Sequence, residues 1–280
     1  MKVFPFQIPK PTEDSLIYQE DHELVFYDKL HEHEEIQLSY VVQGAGTLIV
    51  GDTVSSYSKG DVLAIDGHLP HVFKSDPNAE EKSLMLTLFF TQESFGERFF
   101  ELEELSEVRS FFRRITNGFR VTSHLQSLQD AFLSLKESSK LERFVILLNI
   151  LKLMSKAKKQ SLSSFIYKKN YTVNEGKRMQ DVMSYTMENF DEAISLERIS
   201  EVASMTKNAF CKYFKRRTNK TYIQFLTELR VEHACKLLQQ KKDASISLIA
   251  YESGFGNLSN FNRQFKMIKK MSPSEYRKLF

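Results

Sequence analysis

SLERISEVASMTKNAFCKYFK, residues 195–215, and SISLIAYESGFGNLSNFNRQFK, residues 245–266, are one helical unit written twice. Leu196 and Ile199 match Ile246 and Ile249 at an offset of 50. Phe210, Lys212, Phe214 and Lys215 match Phe261, Arg263, Phe265 and Lys266 at an offset of 51. The extra residue falls between these groups. Each copy therefore reads as a short helix, a turn and a second helix, with the second turn one residue longer. A repeat that keeps register this well is a built unit rather than a coincidence.

Each copy has the chemistry of a helix-turn-helix. Ser195 is placed to cap the first helix, with Leu196, Ile199 and Ala203 as its apolar stripe. Ser204, Met205 and Thr206 make the turn, and Thr206 caps the next helix. Phe210 and Phe214, four residues apart, mark that helix's buried face. The second copy uses Ile246 and Ile249, then Gly254, Phe255, Gly256 and Asn257 as turn, and the spacing predicts that Leu258, Phe261 and Phe265 are buried. The other faces carry short polar groups beside Lys and Arg, a mixture suited to reading base edges while holding phosphates.

This region resembles the DNA-binding domain of the AraC/XylS family of bacterial transcription regulators. The residues that carry the resemblance are Ile246, Ile249, Ala250, Gly254, Phe255, Ser259, Phe261, Arg263, Phe265 and Lys266, followed by Ser272, Pro273, Tyr276 and Arg277. It covers roughly residues 176 to 280. The first copy departs at Asn219, where the family often has Gly, and at Ala209, where a bulkier residue is common. A helix expected from about Tyr222 to Leu238 joins the two units. At 1.5 Å per residue it is roughly 25 Å long, and together with the resemblance it implies two recognition helices held for successive major-groove turns about 34 Å apart. Base reading then falls to Asn208, Cys211 and Lys212 in the first unit, and to Ser259, Asn260, Asn262 and Arg263 in the second. Phosphate contacts fall to Lys207, Lys215, Arg216, Arg217 and Lys266.

Charge divides the chain in the same place. Residues 171–280 hold 19 Lys and Arg against 12 Asp and Glu, a surplus of +7, whereas residues 1–170 hold 20 against 24, or −4; the two sum to the net +3 of the 280 residues. A basic half beside an acidic one fits one half drawn to phosphates and another that is not. Two cysteines, Cys211 and Cys235, give neither a disulfide framework nor a zinc site. The start, MKVFPFQIPKP, lacks an apolar core of the secretory kind, and no run approaches 18 apolar residues. The expectation is a soluble cytoplasmic protein without membrane contact.

Residues 1–20 read as an irregular arm broken by Pro5, Pro9 and Pro11. Six runs rich in β-branched and aromatic residues follow: LVFYDKL from Leu24, EIQLSYVV, GTLIV, DVLAI, HVF and SLMLTLFF. Gly44-Ala45-Gly46, Gly51-Asp52, Gly60-Asp61 and Asp76-Pro77-Asn78 punctuate them. Such spacing predicts a β-sandwich or small barrel. His31-x-His33 with Gln37 and the Gly44–Gly46 stretch, then Gly60-Asp61 with Pro70-His71, are similar to the two cupin motifs and imply a cupin-like jelly roll; the match departs at Asp66 and His68. In metal-dependent cupins two histidines, a carboxylate and a later histidine converge on an ion. Here His31, His33, Gln37 and His71 take those places, and Gln37 supplies no charge. By resemblance the expectation is no metal and no cofactor, but an effector pocket for a small organic molecule, such as a sugar or related metabolite, lined by His31, His33, Gln37, His71 and Phe73.

From Glu97 to about Lys159 the pattern turns helical: FGERFFELEELSEVRSFFRRI, HLQSLQDAFLSLKE and KLERFVILLNILKLMSKAKK. The wide apolar band Leu141, Phe144, Val145, Leu148, Leu151 and Leu153 exceeds one helix face, and by analogy implies a homodimer contact. Lys156, Lys158, Lys159 and Ser161 to Ser164 read as linker. The expected fold is multidomain, α and β. Residues 1–160 form a cupin-like β-barrel with a helical hairpin for effector binding and dimerisation, 161–175 a linker, and 176–280 an all-α domain with two helix-turn-helix motifs joined by a long helix. The function implied is a transcription regulator, an activator or a repressor, that binds double-stranded promoter DNA and responds to a small-molecule effector, with RNA polymerase as a further partner. The alternatives are a metal-dependent cupin enzyme on a DNA anchor and a constitutive DNA binder.

Overall fold

The computed structural model describes residues 14–24, 26, 29–75, 82–165 and 173–280. The chain divides into two units, one within residues 4–168 and the other within 169–280.

Among the described residues the first unit has nine strands: β1 (Ile17–Glu23), β2 (Ile36–Gln43), β3 (Ala45–Val50), β4 (Thr53–Ser58), β5 (Val62–Ile65), β6 (His71–Ser75), β7 (Ser83–Phe90), β8 (Phe119–Val121) and β9 (Lys159–Ser161). They form a six-stranded sheet in the order β1-β7-β2-β5-β8-β9 and a three-stranded sheet β4-β3-β6, all paired antiparallel. Side chains alternate across a strand, and here both faces of the larger sheet are covered. Ile36, Leu38 and Tyr40 of β2 pack outward with Leu86, Leu88 and Phe90 of β7 onto the helices α1 (Arg109–Arg114), α2 (Leu125–Ser134) and α3 (Lys140–Lys156). Val41, Leu63, Ile65 and Met85 face inward against Leu48, Tyr57 and Phe73 of the smaller sheet. Gln37, Ser39 and Thr87 lie on this inner side too, so the polar content of the barrel is concentrated in one place.

Four expectations change. Of the run from Leu24, the described residues Leu24, Phe26, Lys29 and Leu30 lie in no strand: Leu24 is exposed and Phe26 is buried in the barrel core, while residues 25, 27 and 28 lie outside the described residues. The first strand instead begins at Ile17, inside the stretch read as an arm, and pairs with β7 from Ile17↔Phe89 to Glu23↔Ser83. The rest of that arm, 1–13, lies outside the described residues. Residues 97–117 do not make one helix: 3-10 turns at Phe99–Glu101 and Glu103–Val108 precede the six-residue α1. The adjacent pairs Phe99-Phe100 and Phe111-Phe112 cannot all face one side of a regular helix, and short turns let their rings meet, with Phe100 4.6 Å from Phe112. Nor are Ser161 to Ser164 a loose linker. Asp52, only 1% exposed, accepts hydrogen bonds from Ser163 Oγ (2.8 Å), Ser164 N (2.8 Å), Ser164 Oγ (2.6 Å) and Phe165 N (3.1 Å), and β9 pairs with β8.

Among the described residues the second unit is all helix: α4 (Val173–Asn189), α5 (Leu196–Val202), α6 (Lys207–Thr218), α7 (Tyr222–Gln240), α8 (Ile246–Glu252), α9 (Leu258–Lys269) and α10 (Pro273–Arg277). Side chains of Ser195, Thr206, Thr221, Ser245, Asn257 and Ser272 each accept a backbone N–H at a helix start, which satisfies donors the helix itself cannot pair. The connector α7 buries Tyr222, Leu226, Leu229, Val231, Ala234, Leu237 and Leu238. Its Arg230 donates from Nε to Phe190 O and from Nη2 to Glu192 O, both at 2.6 Å, tying the end of α4 to the connector. Asn219, the departure from glycine noted above, closes α6 in the left-handed conformation at φ 55°, which Asn tolerates better than most residues.

Candidate functional site

Two places concentrate chemistry. The first is the pair of helices α6 and α9. Phe210 and Phe214 of α6, and Phe261 and Phe265 of α9, are fully buried. With those rings fixed inward, helical geometry sends the residues between them outward. Lys207, Asn208, Lys212, Lys215 and Arg216 are exposed on α6 and Cys211 is half-buried; Ser259, Asn260, Asn262, Arg263 and Lys266 are all exposed on α9. Asn208, Cys211, Lys212 and Lys215 share one face at spacings of three and four, as do Ser259, Asn262, Arg263 and Lys266. Arg263 donates to Asn260 Oδ1 at 2.9 Å, which holds the guanidinium beside the short polar groups. Lys207 pairs with Glu197 of α5, an exposed contact that a phosphate can replace at little cost.

Two residues differ from expectation. Arg217 is 5% exposed and its guanidinium lies 5.9 Å from the Tyr213 ring, so it belongs to the interior and is not offered to phosphate. Leu258 is 42% exposed rather than buried. As the first residue of α9 it precedes the packed stripe by three positions, and the domain core closes on Phe261 and Phe265 without it. The apolar spacing included Leu258 in the stripe; only its place directly after the Asn257 cap hinted otherwise.

The second place is the barrel interior. His31, His33, Gln37 and His71, brought from the segment before β2, from β2 itself and from the start of β6, are all buried. The ring nitrogens of the three histidines lie within 4.8 Å of one another. His31 and His71 donate from Nδ1 to Lys29 O and Leu69 O, each at 2.8 Å. Gln37 Oε1 lies 3.2 Å from His33 Nε2 and 3.0 Å from His71 Nε2, while its Nε2 donates to Ser39 Oγ, which meets Thr87 Oγ1 at 3.1 Å. Burial lowers the pKa of all three rings, His31 to about 4 and His71 well below its usual value, so they are neutral imidazoles at ordinary pH. A cavity of about 70 Å³ adjoins them, lined by His31, His33, Gln37 and Phe73 with Gln19, Asp21, Glu23, Phe26, Met85 and Phe89. His71 lies behind Gln37, fully buried. Asp21 and Glu23 come from β1, the strand that the polar run IYQEDHE concealed. Pockets for drug-sized ligands hold about 300 Å³ or more, and this cavity is smaller than that. A larger cleft of about 870 Å³ runs outside the barrel between β1 and the start of α3, past Tyr18, Phe95, Lys140, Arg143 and Phe144.

Among the described residues, no helix is long and apolar enough to cross a membrane. Comparison with known families matches residues 199–279 to the family described as Helix-turn-helix domain, and residues 22–87 to the Cupin domain family. The chain is 28% identical over 102 residues to the uncharacterized HTH-type transcriptional regulator YdeC of Bacillus subtilis, a match covering 36% of this chain and 35% of that protein. It is 24% identical over 249 residues to the probable transcriptional regulator LumQ of Photobacterium leiognathi, covering 88% and 90%. Among solved structures, the DNA-binding domain of AdpA, a global transcriptional factor in complex with a target DNA, aligns with 35% of this chain and 87% of its own at 26% identity and a TM-score of 0.33. The chain therefore joins a cupin domain to a helix-turn-helix domain of the AraC type, and its relatives are named as transcriptional regulators.

Proposed function

We propose that this protein is a DNA-binding transcription regulator of the AraC type. The observation that carries the reading is the duplicated helix whose phenylalanines are buried while Asn, Lys and Arg remain outside. Lys207, Lys215, Arg216 and Lys266 neutralise phosphates; Asn208, Cys211 and Lys212, with Ser259, Asn260, Asn262 and Arg263, meet base edges. Leu258 adds an apolar contact of the kind that meets a thymine methyl. The long connector α7 joins the unit that ends in α6 to the unit that ends in α9, so two half-sites about one helical turn apart are the expected operator. Selection of duplexes from a random pool by the full chain tests this. Enrichment of a two-part site is the expected result; a pool that stays random after repeated rounds contradicts it.

The barrel is the sensing half in this reading. The buried polar cluster of His31, His33, Gln37 and His71, with Phe73 beside it, supports a ligand site there, and the cavity volume favours a small one. A homodimer is supported by Leu141 and Val145 of α3, 73% and 58% exposed on a helix whose other side is core, an apolar surface that water disfavours. Contact with RNA polymerase follows if the protein activates. The regulators it is similar to favour this reading over a cupin enzyme on a DNA anchor.

A further inference from the structure

We infer that the first unit carries its own DNA-contacting surface, a basic patch around Arg113, Arg114 and Lys158 that holds the phosphate backbone without reading sequence. Residues 1–170 are acidic overall, with 24 Asp and Glu against 20 Lys and Arg. Their cations are nevertheless gathered. Residues 109–129 contain four Arg, and residues 143–170 contain one Arg and six Lys, with no Asp or Glu in either stretch. Eleven of the 20 cations thus lie in two runs without a single acid. The fold lays these runs side by side. Ser110 Oγ donates to Ser155 O at 3.4 Å, Lys158 N donates to Ser123 Oγ and Thr122 N to Lys158 O, each at 2.8 Å, and β8 pairs with β9 from Phe119↔Ser161 to Val121↔Lys159. Charge spread along the sequence becomes one surface, which concentrates its field.

Arg113, Arg114 and Lys158 are exposed, and none of them forms an ion pair among the described residues. Lys159 lies behind them, its Nζ 4.4 Å from the centre of the Phe119 ring and donating to Met154 O at 2.7 Å. Burial, and then the charge of Arg114, lower its pKa to about 8, so Arg114 and Lys159 are close enough to repel. Like charges held together cost stability, and a bound phosphate relieves that cost. Elsewhere the unit intersperses acid with base, as in Arg98–Glu101, Lys136–Glu20 and Lys140–Asp14. At the margin of the patch Arg109, Arg120 and Lys156 meet Glu103, Asp61 and Glu107, and there it ends. The patch also lies next to the strap Ser163–Phe165, which Asp52 fastens to the barrel. Eight residue steps lead from Phe165 to Val173 of α4, so covalent geometry keeps these two residues within about 30 Å. One duplex turn is about 34 Å long, and a duplex offers a phosphate about every 1.7 Å of its axis. DNA held by the second unit is therefore the polyanion within reach of the patch. The inference rests on the protein being a DNA-binding regulator.

The test is the affinity of the full chain for a selected duplex and its scrambled counterpart across a series of salt concentrations. Four proteins are compared: wild type, the patch triple Arg113→Ala/Arg114→Ala/Lys158→Ala, the charge-keeping triple Arg113→Lys/Arg114→Lys/Lys158→Arg, and a control that removes three other cations, Lys59→Ala/Lys82→Ala/Arg98→Ala. Each phosphate contact contributes about 0.9 to the slope of log affinity against log salt. The patch triple is expected to lose about 2–3 from that slope and to bind both duplexes severalfold more weakly, with discrimination between them intact. The charge-keeping triple and the control keep the wild-type slope. Should the patch triple not fold, Lys158→Ala alone decides, with an expected loss of about 0.9. An unchanged slope in the folded variant, or an equal drop in the control, overturns the patch and leaves the recognition helices standing. A patch triple that keeps the slope yet fails to support transcription in a purified system assigns the surface to an acidic protein, which also overturns the DNA contact. A wild type that binds no duplex overturns both the patch and the DNA-binding reading.

Discussion

Gly254 shows how much one residue decides. It holds the turn between α8 and α9 at φ 79°, and a Cβ there would meet Phe190 O at 2.7 Å and Arg230 Nε at 2.8 Å. A side chain costs both the left-handed conformation and the hydrogen bond between those two groups. Gly254→Ala should destabilise the helical unit by about 2 kcal/mol or more, measured by denaturant unfolding. Gly256→Ala, with nothing within 4 Å of its would-be Cβ and no positive φ, should stay within about 0.5 kcal/mol; equal losses for the two would refute this account of the turn. In the first copy Ser204 takes the left-handed place at φ 51°. The doubled motif makes Gly254 legible from sequence. Leu258 and Arg217 were not, because spacing names a helix face but not where the core ends along it. Three residues before the packed stripe an apolar side chain is left outside, and near the end of α6 an arginine is folded against a tyrosine.

At the scale of elements, α6 and α9 owe their exposed faces to what they bury. Replacing a buried phenylalanine by alanine costs about 3–5 kcal/mol, and these helices commit two each, so the outward groups are fixed by packing rather than by a flexible loop. The two cysteines report on this. Cys235, buried in α7, has its thiol pushed up to about 12 by burial, so it carries almost no thiolate at pH 8 and should resist iodoacetamide. Cys211, half-buried on the outer side of α6, should be alkylated, and a selected duplex should slow that reaction severalfold while a scrambled one does not. Mass spectrometry of the two peptides checks it; an alkylation rate at Cys211 indifferent to DNA places α6 away from the groove. Elements with strong apolar alternation, β2, β3, β5, β6 and β7, could be located from sequence. The strands β1 and β4 could not, since IYQEDHE and TVSSYS point much of their length to solvent and draw stability from pairing. Charge and serine content made residues 161–164 look like linker, yet one buried aspartate anchors that segment to the barrel.

For the whole molecule, the change in charge sign near residue 170 divides the chain much as its packing does. Cupin spacing located the histidines that meet in the barrel, although not β1, which supplies the acidic side of their cavity. The central claim is that α6 and α9 act together on one duplex, so that each contributes to specificity. The most direct measurement is the affinity of wild type, Lys212→Ala and Arg263→Ala for a selected duplex and for its scrambled counterpart at one fixed salt concentration. Loss of about 1–3 kcal/mol on the selected duplex by Arg263→Ala, with relaxed discrimination at one base position, is the predicted result, and Lys212→Ala should likewise weaken the selected duplex more than the scrambled one. If either variant binds both duplexes as wild type does, its helix does not read DNA.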